Sequence, residues 1–425
     1  MAERHVEHLL IGGGIASANC ALELRDRGAE GQILLVGREL DSPYHRPPIT
    51  KEYLRGEIQR EQALIERPEL FEERQIELLT RTSVTALDPD ARRATLSTKD
   101  QVTYDTALIA TGAMVRRLQV AGADLQGIHY LRALGNADSL RRELDQVEEA
   151  VLIGGSYIAC EVAASLTALG KRCTQVMLES VVFERGFGHT AGAYFQGVLE
   201  HHGIEVLGSE EVEGFEPPDG EQVVEGCESR VGTLCLQSGR RLPAQLVVAG
   251  VGAIPDVMLA RRAGLEIGER GGVRCDARLQ TEHAGLYAAG DMCEYDSVPH
   301  GQPMRIEHEE VAAAQGRTVA RNMLGAKEEH GEVPYFFSDL ADWTSLEYVG
   351  PALEWDEEIV RGSPPEHRFS IWYLNKGRLA AALSVGRSDD LELARRLITA
   401  GSDLGEDKRL LADLSADLRP LAGRS

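Results

Sequence analysis

The chain has 425 residues, and at about 150 residues per domain this length predicts two or three domains. Its formal net charge of -23 argues against a nucleic-acid partner, because nucleic-acid binding depends on an excess of cations. No stretch approaches the roughly 18 consecutive apolar residues of a membrane span, so we expect no membrane partner.

The seven cysteines are scattered along the chain and never occur as C-x-x-C. This usage favours reduced thiols in the cytoplasm over a disulfide framework or a zinc site, so we expect no metal. The first predicted strand starts within a few residues of Met1, and we therefore expect no signal peptide.

The first strand, turn and helix form a dinucleotide-binding pattern. Residues 6–11 read as a buried strand, and a helical run over residues 18–27 follows a G-x-G-x-x-small turn with Gly12, Gly14 and Ser17 at the small positions. Such residues allow a tight turn, a close approach of a pyrophosphate and close packing of helix on strand. Taken alone, the pattern can also mark no more than a tight turn.

The same pattern returns in the middle of the chain. Residues 152–159 repeat the pattern of residues 10–17, and each copy is followed by a helix, a glycine and a second strand. Two such units predict two bound dinucleotides, usually a resident FAD and a visiting NAD(P)H.

Between the two turns lies a loop, residues 42–51, whose three prolines rule out a regular helix or a central strand. The other predicted elements are strands at 76–79 and 84–87, a hairpin at 92–97 and 102–104, a strand at 107–112, a strand at 244–251 that returns to the first domain, a strand ending in an acid at 285–291, and a mostly helical stretch at 305–323. From residue 334 aromatic residues cluster, and short strands followed by a helix predict a small α+β domain.

These elements predict an α/β protein with two Rossmann-like dinucleotide-binding domains and a small α+β C-terminal domain. We expect a discontinuous FAD-binding domain at residues 1–112 and 247–330, an NAD(H)-binding domain at 113–246 and a C-terminal interface domain at 331–425.

The chain as a whole resembles the FAD-dependent pyridine nucleotide (disulfide) oxidoreductases, which have a glutathione-reductase-like fold. The closest branch looks like the ferredoxin and rubredoxin reductases and the apoptosis-inducing-factor-like proteins. The stretches that carry the resemblance are residues 43–51, Ala-Thr-Gly at 110–112, residues 154–161, Ala-Ala-Gly-Asp at 288–291 and Arg-Ile-Glu-His at 305–308.

This resemblance implies FAD and NADH as cofactors and assigns residues to each. The FAD residues would be Gly12, Gly14, Ile15, Ala16, Ser17, Arg38, Glu39, Arg46, Lys51, Val84, Arg116, Asp291, Glu307 and His308. The NAD residues would be Gly154, Gly155, Ser156, Tyr157, Ile158, Glu179 and Gly252. The catalytic residues would be Lys51, Glu161 and Tyr157.

Several of these assignments carry an alternative. Asp291, which we place at a strand end and a helix start, would contact the flavin's ribityl chain or cap the helix, and both can hold. Tyr157 would cover the flavin face where the nicotinamide stacks, or simply pack in the core. Glu179 follows a strand about 20 residues after the second turn, where a carboxylate binds ribose hydroxyls and favours NADH, but it can also be a surface residue. Lys51 would pair with Glu161 across two domains.

The sequence departs from the family pattern at four places. Arg38 stands where an acid often binds the adenosine ribose, so we expect Glu39 to take that role. Ser156 replaces the second glycine of the second turn. Glu309 and Glu310 stand where electron-transfer members often have Trp-Asp, and Phe337 stands where a tryptophan is common. The last two departures bear on the identity of the electron acceptor.

We therefore expect an NADH-dependent reductase that passes hydride from NADH to flavin N5, and then electrons to a ferredoxin- or rubredoxin-type carrier. The alternative is an apoptosis-inducing-factor-like NADH sensor that forms a stable charge-transfer complex and acts through binding. The loop at residues 42–51, which we call the flavin loop, contains no cysteine, so a redox-active disulfide is not expected, and Cys160 reads as a small core residue. The chain would be a monomer or a homodimer.

Overall fold

A computed structural model describes residues 3–218 and 229–423 of the chain. Cys227 lies outside these ranges, and the other six cysteines are free. Within the described residues, no helix is both long and apolar enough to cross a membrane.

The chain forms its elements in the following order. The first group is β1 (Glu3–Ile11), α1 (Ile15–Asp26), β2 (Ile33–Val36), α2 (Glu52–Arg55), α3 (Pro68–Glu73), β3 (Ile76–Leu79), β4 (Val84–Asp88), β5 (Arg93–Leu96), β6 (Gln101–Ile109) and β7 (Ala113–Val115). The second group is β8 (Ile128–His129), α4 (Leu134–Leu144), β9 (Glu149–Ile153), α5 (Tyr157–Ala168), β10 (Arg172–Val176), α6 (Glu184–His201), β11 (Glu205–Leu207), β12 (Val212–Glu216), β13 (Thr233–Leu236), β14 (Arg241–Pro243) and β15 (Leu246–Ala249).

The third group is β16 (Ala253–Pro255), α7 (Met258–Arg262), β17 (Val273–Cys275), β18 (Leu286–Ala288), β19 (Cys293–Ser297), β20 (Gln302–Met304) and α8 (Glu309–Met323). The last group is β21 (Tyr335–Leu340), β22 (Thr344–Val349), β23 (Glu357–Ser363), β24 (Arg368–Asn375), β25 (Arg378–Val385) and α9 (Ser388–Ala400). Short 3-10 helices cover Pro47–Thr50, Arg60–Ala63, Pro364–Glu366, Gly405–Ala412 and Arg419–Gly423.

The first sheet has the strand order β3-β2-β1-β6-β5-β4, and β18 pairs in parallel with the second half of β6. Strands β1, β2, β3 and β6 run parallel, whereas β4, β5 and the start of β6 form an antiparallel meander. All four residues of β2 are buried, as expected for a parallel strand covered on both faces. The hairpin predicted at 92–97 and 102–104 is confirmed by the pairing of β5 with β6.

The second sheet is parallel throughout, with the order β11-β10-β9-β15-β8. One prediction is wrong here: the strand at 244–251 does not return to the first sheet. Its regular part, β15, pairs with β9 and β8 instead. Its four residues are fully buried or nearly so, and the second sheet supplies the covered central position that such a strand requires.

The C-terminal sheet is antiparallel, with the order β21-β22-β25-β24-β23. The aromatic cluster noted in the sequence fills its two faces, because Tyr348, Phe369, Trp372 and Tyr373 are almost completely buried. Helix α9 packs on one face through Leu391, Ala394, Leu397 and Ile398. The predicted small α+β unit is therefore present.

The mostly helical stretch predicted at 305–323 is confirmed, because α8 covers the fifteen residues Glu309–Met323 and only residues 305–308 are not helical. One further prediction about local structure is wrong. Asp291 does not begin a helix, but lies in the turn between β18 and β19. Gly290 in this turn has φ +79°, a conformation that glycine adopts easily, and after the turn β19 pairs in parallel with β17. Asp291 is therefore no helix cap, and its carboxylate is available for another partner.

Candidate functional site

A first cavity of about 400 Å³ opens at the carboxyl ends of β1 and β6, beside the start of α1. The two glycine positions of the first turn border it. Ten residues assigned to FAD line it, namely Gly12, Gly14, Ile15, Ala16, Arg38, Glu39, Arg46, Val84, Asp291 and Glu307. Ligands of open α/β sheets bind in such crevices at strand ends.

The backbone of the first turn fits a dinucleotide phosphate. Gly12 has φ +122°, and a Cβ there would lie 2.1 Å from the carbonyl oxygen of Ala110, so only glycine allows the turn after β1 to pass this close to the end of the parallel strand β6. A Cβ at Gly14 would meet no protein atom within 4 Å, so this position borders open space. No side chain caps α1, which leaves its first N–H groups available to an anion.

The charged groups of the first cavity form a connected network. Arg46 donates to Glu39 over 2.7 Å, and the hydroxyl of Tyr44 also donates to that carboxylate. Burial alone would raise the pKa of Glu39, but the Arg46 charge and these hydrogen bonds outweigh it and lower that pKa. Glu39 is therefore held as an anion where it can accept hydrogen bonds from ribose hydroxyls.

Asp291 has a partner that sequence analysis missed. Arg132 donates to its carboxylate over 2.6 Å. Arg132 belongs to no sequence motif. It lies between β8 and α4 and approaches Asp291 only through tertiary packing. The pair places one cation and one acid side by side in the first cavity.

Three residues assigned to FAD lie differently from the expectation. Ser17 is fully buried in the packing of α1 and does not line the cavity, which agrees with the packing role of the third small position. Arg116 is exposed just after β7 and lies outside the three cavities described here. Arg38 lines the first cavity but is 54% exposed and contacts Asp256 at 3.1 Å.

A second cavity of about 360 Å³ lies at the second glycine turn. Six residues assigned to NAD line it, namely Gly154, Gly155, Ser156, Tyr157, Glu179 and Gly252. Gly154 repeats the geometry of Gly12, with φ +118° and a hypothetical Cβ 2.3 Å from the carbonyl oxygen of Gly250. The two turns are thus equivalent in structure as well as in sequence.

Glu179 lies on the wall of the second cavity and has one ion-pair partner. Its carboxylate is 2.5 Å from the Nε atom of Arg185, whose side chain is 76% exposed. A carboxylate at the end of a second strand is suited to bind ribose hydroxyls. Arg185 partly neutralises it from the solvent side.

A third cavity of about 610 Å³ joins the other two. It shares Arg46, Arg132, Glu307 and Glu309 with the first cavity, and Ser156, Tyr157, Gly250 and Gly252 with the second. It also contains the remaining predicted residues Lys51, Ile158, Glu161 and His308. A flavin ring that extends from the first cavity and a nicotinamide ring that extends from the second would meet here.

Lys51 is buried in the wall of the third cavity and is paired as predicted. Its Nζ atom lies 3.5 Å from Glu161 and 3.3 Å from Asp339. The two oxygens of Glu161 accept hydrogen bonds from the hydroxyls of Thr50 and Ser338, each over 2.5 Å. The flavin loop, helix α5 and strand β21 are therefore tied together at one charged cluster.

An aromatic group forms another wall of the third cavity. Tyr157 contacts the rings of Phe183, Phe187, Phe336 and His308 at centroid distances from 5.4 to 6.1 Å. The His308 ring stacks on Phe336 at 3.8 Å. Burial lowers the pKa of His308 to about 4 and raises the pKa of the Tyr157 hydroxyl well above its usual range. Both groups are therefore uncharged near neutral pH.

Glu309, a departure from the family pattern, holds the flavin loop. Its two carboxylate oxygens contact the Nδ1 atom of His45 at 2.5 Å and the backbone N–H of Arg46 at 2.8 Å. The hydrogen bond to Glu309 is the main cause that raises the pKa of His45. Sequence analysis noted the substitution but did not predict this contact, because residues 45 and 309 are 264 positions apart.

Two glycine turns of the same geometry, each with its own cavity, are typical of a protein that binds two dinucleotides. A family described as "Pyridine nucleotide-disulphide oxidoreductase" matches residues 6–316, and one described as "Reductase C-terminal" matches residues 335–422. The chain belongs to the pyridine nucleotide-disulphide oxidoreductase family, whose members bind FAD and use NAD(P)H.

Relatives with assigned roles cover nearly the whole chain. Putidaredoxin reductase CamA from Pseudomonas putida is 32% identical over 97% of this chain and 96% of its own length. The 5,5'-dehydrodivanillate O-demethylase ferredoxin reductase subunit from Sphingobium sp. is 31% identical over 98% of both chains. Among solved structures, the ferredoxin reductase for the CYP199A2 system from Rhodopseudomonas palustris matches with a TM-score of 0.90, 31% identity, and coverage of 98% of this chain and 99% of that one.

Proposed function

We propose that the chain transfers electrons from NADH, through bound FAD, to a small electron-carrier protein of the ferredoxin or rubredoxin type. The observation that carries this proposal is the third cavity, which connects the two nucleotide cavities and opens to solvent. The relatives named above, and a rubredoxin-NAD(+) reductase from Pseudomonas putida at 31% identity over 83% of this chain and 88% of its own length, support a carrier protein as acceptor.

Bound FAD would supply the exchange between two-electron and one-electron chemistry, so that one NADH would reduce two one-electron carriers and yield NAD⁺ and one proton. The chain's residues position and shield this exchange. Arg46 and the N-terminus of α1 bind the diphosphate, and Glu39 binds the adenosine ribose. Tyr157 and Phe336 keep water from the meeting point. Lys51 holds the flavin loop against α5.

Glu179 gives the site its preference for NADH. The repulsion between this carboxylate and the 2′-phosphate of NADPH at ~4 Å would cost up to ~4 kcal/mol at an effective dielectric of ~20. The ion pair between Arg185 and Glu179 reduces this repulsion. We expect NADH to exceed NADPH by at least about tenfold in kcat/KM, which corresponds to ~1.4 kcal/mol. Glu179→Ala should narrow this ratio and Arg185→Gln should widen it. Equal use of both nucleotides by the wild type would contradict the assignment.

Carrier reduction tests the proposed function directly. Anaerobic protein, NADH and an excess of oxidised [2Fe–2S] ferredoxin or rubredoxin are mixed, and reduction of the carrier is followed spectroscopically. We expect many turnovers, with two carriers reduced per NADH. A protein that is reduced by NADH but keeps its electrons in the presence of every carrier tested would instead behave as an NADH sensor.

We propose three domains with the limits given by the sequence, except that the second domain extends through β15 to Ala249. The cysteine usage supports a cytoplasmic location as part of this proposal. Size-exclusion chromatography with light scattering would distinguish the monomer from the homodimer, the two states that we propose.

A further inference from the structure

A glutamine is buried in the middle of the second parallel sheet. Gln175 belongs to β10, pairs with Leu152 of β9, and has no exposed surface. Strands in such positions usually consist of Val, Ile and Leu, and the burial of an amide costs free energy unless its polar atoms are hydrogen-bonded. The contacts of the Gln175 amide therefore indicate what this residue does.

The amide nitrogen of Gln175 reaches the second glycine turn. Its Nε2 atom donates to the carbonyl oxygen of Gly154 over 2.8 Å and contacts the Sγ atom of Cys160 at 3.2 Å. Chemistry sets the orientation of the amide, because a carbonyl oxygen accepts hydrogen bonds and cannot donate one. The N–H of Gly154 donates to the carbonyl oxygen of Val176, also over 2.8 Å. Strand β10 therefore holds Gly154 at both its carbonyl and its N–H.

The hydrogen bond to Gly154 fixes the direction of the next N–H group. The carbonyl of Gly154 and the N–H of Gly155 belong to one planar trans peptide and point in opposite directions. The N–H of Gly155 therefore points away from the buried Gln175. Gly155 lines the second cavity, at the turn where backbone N–H groups approach a dinucleotide phosphate. A rotation of this peptide would misdirect that N–H.

The first glycine turn provides an internal comparison. Strand β1 pairs with β2 in the register in which β9 pairs with β10, so Leu35 is the counterpart of Gln175. Ala18 is the counterpart of Cys160 in the repeated pattern. The first turn therefore has two apolar side chains where the second turn has a hydrogen-bonded pair. Since leucine cannot donate a hydrogen bond, the contact to the turn carbonyl is a property of the second turn.

The stability of the sheet does not explain Gln175. Its Oε1 atom is buried and has no hydrogen-bond partner within residues 3–218 and 229–423. A buried oxygen without a partner destabilises the folded state, and a leucine at this position would avoid that cost. What Gln175 adds, and Leu35 in the first domain does not, is control over the peptide between Gly154 and Gly155.

We propose that Gln175 is a positioning residue for NADH, which acts through the Gly154 carbonyl to keep the second turn in its binding conformation while no nucleotide is bound. This inference rests on the proposed function. The first turn holds a resident FAD, whereas the second is emptied and refilled in every turnover. A turn that keeps its shape binds NADH more tightly, because less conformational freedom is lost on binding.

Gln175→Leu, which introduces the residue of the first domain, tests the proposal. Anaerobic stopped-flow reduction of the FAD-loaded protein over a range of NADH concentrations gives the Kd for NADH and the limiting rate constant. We expect Kd to rise by about fivefold or more, as for the loss of one buried hydrogen bond, with the limiting rate constant within about twofold of the wild type. FAD content should not change. Calorimetric titration with ADP-ribose, which has the diphosphate but no nicotinamide, should show the same loss of affinity.

Gln196→Leu is the matched control. Gln196 of α6 also donates through Nε2, to Glu200 over 2.8 Å, and its Oε1 atom is likewise buried and unpaired within the two described ranges. Gln196 lies outside the three cavities described above. The same chemical change at this position should therefore leave both Kd values unchanged.

The outcomes separate this proposal from the proposed function. A wild-type protein that neither binds ADP-ribose nor is reduced by NADH would overturn both. Normal wild-type behaviour with unchanged Kd values in Gln175→Leu, whether or not its Tm or its limiting rate constant falls, would overturn the positioning role alone. So would an equal rise of Kd in Gln196→Leu. If Gln175→Leu does not fold, Gln175→Met, which is unbranched like glutamine and has no donor, is measured in its place with the same expected result.

Discussion

Removal of the Lys51 charge should destabilise the protein more than removal of the Glu161 charge. At 3.5 Å and an effective dielectric of ~20, one pair of unit charges attracts by about 5 kcal/mol before desolvation is counted. Lys51→Met leaves both Glu161 and Asp339 without their cation, so we expect a loss of ~3–5 kcal/mol.

Glu161→Gln should cost less, because Asp339 still compensates Lys51. The amide can also keep both hydrogen bonds of the carboxylate, since the hydroxyls of Thr50 and Ser338 can rotate to donate or accept. With about 3 °C of Tm per kcal/mol for a large domain, Lys51→Met should lower Tm by about 10 °C or more.

Thermal unfolding followed by flavin fluorescence measures these differences. The matched control is Lys408→Met, which breaks a half-buried Lys–Glu pair with a 2.5 Å contact to Glu357 and should cost no more than ~1 kcal/mol. The reasoning fails if Lys51→Met is no more harmful than Lys408→Met. It also fails if the effects of Lys51→Met and Glu161→Gln add to within ~0.5 kcal/mol in the double variant.

Three further predictions concern the FAD cavity, the pH dependence and the bend in α6. Gly14→Val should yield folded protein without FAD, because its side chain would fill the phosphate space; a yellow variant would contradict the assignment. Burial lowers the pKa of His330 to about 4, whereas its usual pKa is ~6.5. Between these two pH values the His330 side chain is protonated in the unfolded chain and neutral in the folded chain. Stability should be highest above pH ~6.5 and fall toward pH 4, and His330→Gln should flatten this decline in Tm; an unchanged slope would exclude His330 as a cause. Gly188 interrupts α6 with φ +76°, and a Cβ there would lie 2.2 Å from Glu358, so Gly188→Ala should lower Tm by the equivalent of ~1–3 kcal/mol. Gly197→Ala in the same helix meets no neighbour within 4 Å and should not lower Tm, and equal losses in both variants would contradict the strain at Gly188.

The parts of the fold and site that were predicted either have short-range signals in the sequence or lie in motifs of the family. Gly12 and Gly154 mark their turns because the backbone that leaves the neighbouring parallel strand leaves no room for a Cβ at either position. The pairing of Lys51 with Glu161 followed from family motifs and is present in the structure. Glu179 follows β10 and lies on the second cavity, as the spacing from the second turn indicated.

The features that sequence analysis missed depend on long-range packing. Arg132 reaches Asp291, and Asp339 reaches Lys51, across separations of 159 and 288 residues. Strand β15 was assigned to the wrong sheet because a buried hydrophobic run fits the parallel centre of the first sheet and the parallel second sheet equally well. The turn at Asp291 was read as a helix start because Gly-Asp precedes helices as readily as it precedes turns.

The central claim is that a nicotinamide in the second cavity and a flavin in the first meet in the third cavity. Anaerobic stopped-flow mixing of the FAD-loaded protein with NADH tests it most directly, with the visible flavin absorption band as the signal. The account predicts rapid loss of that band with one equivalent of NADH, and a slower loss in Lys51→Met. An oxidised flavin spectrum that persists in excess NADH would contradict it.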